Sequence, residues 1–143
     1  MKFVPTDGYE ETIDLKAVFT DTGGPGTIRA SHPAIQTDRE DVNRRYVPIS
    51  WGHRGEARLV FELVTMELHA YIALIVNRLT SEDWTCYLSL DGGSNYREVR
   101  LQPNGYKGPE PNKEKTYSGG RYELHLRAVD LLDQVPAINT GTW

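Results

Sequence analysis

The residues able to do chemistry are few and scattered. His32, His53, His69 and His125 have no paired spacing, and Cys86 is the only cysteine. A zinc site needs ligands that converge, and in sequence this shows as close His or Cys pairs. None occurs, so no metal is expected. Ser31, His32 and Asp38 have the residue types of a hydrolase triad. Close neighbours in sequence, however, do not present nucleophile, base and orienting acid in one line. Gly23-Gly24-Pro25-Gly26 is not followed by lysine and a helix, so it is a turn and not a phosphate cradle. No catalytic residue and no cofactor is expected, and Cys86 reads as a small buried side chain in a strand.

Ser89-Leu90-Asp91-Gly92-Gly93-Ser94-Asn95-Tyr96 resembles the Asp-box of sialidases and many unrelated β proteins, with Tyr96 in place of the usual tryptophan. Its chemistry is that of a tight hairpin turn, in which aspartate accepts backbone amides and glycine takes positive φ. A propeller enzyme would repeat the box in every blade, and here it occurs once. An EF-hand loop would need closely spaced acids and a closing glutamate, which are missing.

The elements that would position any site are mostly strands. Alternation from Tyr9 to Thr20, with Ile13, Leu15, Ala17 and Phe19 on one face, predicts a half-buried strand. From Thr27 to Arg45 the pattern is weak, and Thr37–Arg45 is a mixed charge cluster that reads as a solvated loop or, more sharply, as a subunit contact. Tyr46–Trp51 and Arg58–Val64 read as a hairpin around Gly52-His53-Arg54-Gly55. Leu68, Tyr71, Ile72, Ile75, Val76 and Leu79 form one helical stripe, predicting a principal helix over Thr65–Leu79 with Thr65 as N-cap. Trp84–Leu90 and Tyr96–Gln102 predict a second hairpin, with Cys86, Leu88 and Leu90 on one side of the first strand and Arg97, Val99 and Leu101 opposite Glu98, Arg100 and Gln102 on the second. In the last strand Tyr122, Leu124, Leu126 and Ala128 face inward, and Glu123, His125 and Arg127 face outward.

The expected fold is therefore mainly β with one principal α-helix, in a single β-rich domain spanning residues 1–143. The architecture is a β-sandwich or split β-barrel flanked by the helix, with a long loop over Pro103–Gly120 and an extended arm over Gln134–Trp143. Neither segment has enough apolar content to fold back as core, and polar arms become ordered by gaining partners. Tyr106, Lys107, Lys113, Lys115 and Tyr117 in the loop, and Pro136, Ile138 and Trp143 in the arm, are the expected subunit-contact residues. The formal net charge of −4 argues against a dedicated nucleic-acid binder. The start Met1–Asp7 lacks the apolar region of a signal peptide, and no apolar run approaches the roughly 20 residues of a membrane span, so a soluble intracellular product without a membrane anchor is expected.

The order strand, loop, hairpin, helix, hairpin, long loop and final strand ending Gly120-Arg121-Tyr122-Glu123-Leu124-His125-Leu126-Arg127-Ala128-Val129 resembles the tail-tube and tail-tip proteins of long-tailed bacteriophages. The similarity is greatest to the hub domain of distal tail proteins and to small minor tail proteins, over roughly residues 47–130. That resemblance implies a non-catalytic virion protein, made in the host cytoplasm, that forms a hexameric or trimeric ring with itself and with other tail proteins. DNA would pass the channel at most transiently. The alternative is a carbohydrate-binding β-sandwich module, in which Trp51, Trp84, Tyr87 and Tyr96 would lie exposed together on one concave face as stacking platforms.

Overall fold

The computed structural model describes residues 1–15, 26–40, 43–64, 66–90, 93, 95–108, 120–133, 135 and 143. The fold is mainly β with one principal helix, and its sheet is a curled, open half-barrel. The strands are β1 (Lys2–Pro5), β2 (Glu11–Thr12), β3 (Gly26–Ser31), β4 (Ala34–Glu40), β5 (Tyr46–Val64), β6 (Trp84–Leu88), β7 (Arg97–Lys107) and β8 (Gly120–Leu132), with helix α1 (Met66–Thr80) between β5 and β6. Their order is β2-β1-β6-β7-β8-β5-β3, and β4 also pairs with β5. Every pairing is antiparallel.

The core lies between α1 and the concave face of the sheet. Leu68, Ile72, Ile75 and Leu79 are the buried helix residues, as the stripe predicts. They share one hydrophobic cluster with Phe3, Leu59, Phe61, Cys86, Leu88, Val99, Tyr122, Leu124 and Leu126. Glu67 in the first turn and Arg78 in the last both complement the helix dipole. The expected N-cap, Thr65, lies outside the described residues. Burial pushes the Cys86 thiol up to about 11, in keeping with a packing residue.

Four expectations are corrected. Tyr46–Val64 is one strand of 19 residues rather than a hairpin. Gly52 (φ 107°) absorbs the register shift against β4, and a Cβ there would stand 2.8 Å from the Leu132 carbonyl oxygen. The weak stretch after Thr27 is two strands, which run one after the other along β5 with a break at His32-Pro33. Strands at a sheet edge need no apolar alternation, and exposed Arg29, Ser31 and Ile35 supply none. Among the described residues of the strand expected over Tyr9–Thr20, only Glu11–Thr12 are strand, and Leu15 is buried with helical backbone. Residues 16–25 lie outside the described part. Finally, β7 extends to Lys107, so the first five residues of the expected Pro103–Gly120 loop belong to the sheet. Asn104 (φ 55°) and buried Gly105 form a bulge there, and a Cβ on Gly105 would meet the His125 oxygen at 2.6 Å.

The register also reveals a projecting ribbon. β8 reaches β5 only as far as His53↔Leu132, whereas β4 pairs with β5 from Ala34↔His53 out to Glu40↔Tyr46. The outer half of that ladder has no third strand among the described residues. It turns at Arg44, whose φ is 58°.

Candidate functional site

Three places combine chemistry-bearing side chains. The first is internal, at the inward-facing row of β7. Arg97 is only 9% exposed, the sole buried cation among the described residues. Its guanidinium donates to the Trp143 carbonyl oxygen, to the Asp130 carbonyl oxygen at 3.0 Å and to Asp130 Oδ1 at 3.4 Å. Its carbon stands 5.3 Å from the Trp143 ring centre. Trp143 is 2% exposed, and its Nε1–H donates to the Leu88 carbonyl oxygen at 3.1 Å. Gly55 is the seat for both side chains, because a Cβ there would lie 2.5 Å from Arg97 Nη1 and 3.3 Å from Trp143 Cε3. A buried cation is costly unless its donors are met; here the Trp143 carbonyl oxygen takes Nη1 and Asp130 takes Nη2, while the buried Nε–H has no hydrogen-bond partner among the described residues. This cluster is a latch that ties Trp143 to β5, β7 and the end of β6.

Two histidines border the latch. His53 Nδ1 lies 3.2 Å from the His32 carbonyl oxygen. Burial, then the Arg97 charge, hold the His32 imidazole below its ordinary value. The other two histidines lie elsewhere, His69 sharing a 2.8 Å hydrogen bond with the Tyr122 hydroxyl and His125 bonded to Glu123. Among the described residues no group of three or more His, Cys, Asp or Glu is placed to hold a metal ion. Ser31 and Asp38 pair at well-separated points of β5, opposite Glu56 and Pro48, so they do not meet at His32. In the Asp-box segment Gly93 donates its amide to Ser89 Oγ at 3.0 Å with φ 103°, which is turn chemistry.

The second place is the convex face of the sheet. Glu123, expected to face solvent, is only 9% exposed. Arg58 Nη2 donates to both its oxygens at 2.7 and 2.8 Å, Arg121 approaches at 3.0 Å and His125 Nε2 at 3.0 Å. The hydrogen bond from His125, then that from Arg58, hold the Glu123 carboxyl down to about 2. A depressed carboxylate adds stability that is fully present above its unfolded value, about 4.5, and is lost as pH falls through the folded value. Between pH 4.5 and 2 the wild type should therefore lose stability more steeply than Glu123→Gln, as measured by urea midpoints across that range. Equal slopes would contradict the assignment.

The third place is the root of the ribbon. The pairs Gln36↔Ser50 and Ala34↔His53 bracket Ile35 against Trp51 and Gly52, and Arg54↔Leu131 brings the end of β8 alongside. Trp51 is 60% exposed, and Ile35, Val129 and Leu131 are exposed too. Exposed apolar side chains gathered in one place mark contact surfaces more often than isolated ones do.

Of the expected subunit-contact residues, Lys113, Lys115, Tyr117, Pro136 and Ile138 lie outside the described residues. Lys107 is exposed in β7, and Tyr106 is 42% exposed with its ring stacked 6.1 Å from that of Tyr122. Trp143 is packed in the core of its own chain. The aromatics named for a sugar platform do not line up. Trp84 is capped by the Arg78 guanidinium at 3.5 Å, while Tyr87 and Tyr96 share the Lys2 ammonium at 5.2 and 4.8 Å. Sequence reasoning missed the Arg97 latch, although an arginine in an inward-facing row with Val99 and Leu101 is itself a signal of a buried partner. No family model and no curated protein matches the chain.

Proposed function

We propose that this chain is a structural assembly subunit, of the kind that forms a ring in the tube or tip of a bacteriophage or phage-derived tail. The ring consists of copies of the chain, joins other tail proteins, and lets DNA pass without holding it. The observation that carries this reading is the β4–β5 ribbon. An isolated two-stranded hairpin is marginal in water, yet this one extends past the last β8 pairing with Trp51 and Ile35 exposed at its root. Its stability is completed when a neighbour covers it, and a covered edge no longer templates aggregation. Asn43, Arg44 and Arg45, exposed just ahead of β5 at the outer end of the ribbon, can set the register of that contact.

The test is a shortened ribbon, in which residues 38–48 are replaced by Asn-Gly so that the turn joins the paired Thr37 and Ile49. The variant should keep the wild-type circular dichroism and cooperative melt but sediment as a monomer where the wild type sediments as a ring. A shortened variant that assembles as the wild type does would remove this reading.

A further inference from the structure

The register places charges unevenly on the sheet. On the convex face, Arg29 of β3, Arg58 of β5, Arg121 and Arg127 of β8, and Arg100 and Lys107 of β7 stand together. The same four strands bring only Glu56, Glu62, Glu98 and Glu123 to that face. The face is thus basic on a chain whose 20 acids outnumber its 16 lysines and arginines. Two of its directly opposed pairs are of like charge, Arg29↔Arg58 and Arg100↔Arg127. Like charges in register destabilise a sheet, and Glu123, Glu56 and Glu98 satisfy only some of these guanidinium groups, Arg127 meeting Glu56 at 3.8 Å and Arg100 meeting Glu98 at 3.5 Å. An acidic partner relieves the remainder.

The chain carries such a partner at its opposite sheet edge. Asp7 and Glu10, between β1 and β2, and Glu82 and Asp83, between α1 and β6, are all exposed. The two connections are stitched together, since the Thr6 amide donates to the Asp83 carbonyl oxygen at 2.8 Å and the Thr6 hydroxyl at 3.0 Å. Strand order puts this acidic edge beside β2 and β1 at one end, and Arg29 on β3 at the other.

We infer that the basic convex face of one copy docks the acidic β1–β2 edge of the next copy, in a head-to-tail contact. Two different patches on one chain make a heterologous interface, which closes into a ring when the rotation per subunit allows. The acidic balance of the whole chain disfavours a polyanion as occupant, because a second copy offers local charge complementarity while nucleic acid meets net repulsion. This inference rests on the assembly reading above and names the surfaces involved.

Charge reversal tests it by complementation. Arg29→Glu with Arg127→Glu makes the face acidic, and Asp7→Lys, Glu10→Lys and Glu82→Lys together make the edge basic. Each of the two variants alone should self-associate about a hundredfold more weakly, since like charges then meet across the contact. An equimolar mixture of the two should reassemble, because acidic faces meet basic edges and the remaining contacts keep their native signs. If the wild type assembles and both variants assemble equally well, the inference falls while the assembly reading stands. A monomeric wild type overturns both. If the face variant assembles normally but loses salt-sensitive binding of a single-stranded oligonucleotide that the wild type shows, the face is a polyanion site and the inference is wrong.

Discussion

Trp143→Ala should destabilise the domain by about 3–5 kcal/mol, the range for removing a large buried aromatic. The loss has two parts. The indole leaves a void beside Gly55 and Leu88, and the Leu88 carbonyl loses its Nε1–H donor. The Arg97 guanidinium, buried beneath the ring, also loses its aromatic cover. Against a typical net stability of about 5–15 kcal/mol this is a large fraction. Urea unfolding followed by circular dichroism measures it. Truncation before Val135 removes the same ring and should cost at least as much, so it does not yield a stable monomer for assembly experiments. A change under about 1 kcal/mol would show that the indole adds little to the core.

Ile75→Asp should abolish folding. Ile75 is fully buried on α1 within the cluster of β5, β6, β7 and β8 side chains, and among the described residues no cation other than Arg97 is buried. An ionised carboxylate placed there has neither water nor a partner. The cost is then comparable to the whole stability of a small domain, about 5–15 kcal/mol. The expected result is insoluble protein, or soluble protein without a cooperative melt. Ile75→Val, which should cost about 0.5–1.5 kcal/mol, controls for side-chain shape. A folded, cooperatively melting Ile75→Asp would contradict the placement of α1.

What could be read from the sequence follows from which faces are buried. The α1 stripe, the Cys86–Leu88 row and the Tyr122–Ala128 row each bury one face against the core, and their periodicity is plain. Edge strands carry no such pattern. Among the described residues β3 and β4 pair only with β5, and their exposed residues are chosen for solvent or partner, so apolar alternation fades. β1 is too short for a period to show, although Phe3 is fully buried. Glycine misled in the other direction. Gly52 and Gly55 resemble a turn pair, but one absorbs a bulge and the other makes room for Arg97 and Trp143. The latch and the polarity of the sheet face depend on strand register, which joins residues far apart in the chain, such as Arg58 and Glu123.

The central claim is that this chain is built to assemble, and its mass in solution tests that most directly. Sedimentation velocity across a concentration series at low salt should show a discrete species several times the 16.2 kDa of one chain, weakening as salt rises. A single species of 16.2 kDa at every concentration and salt would contradict the account.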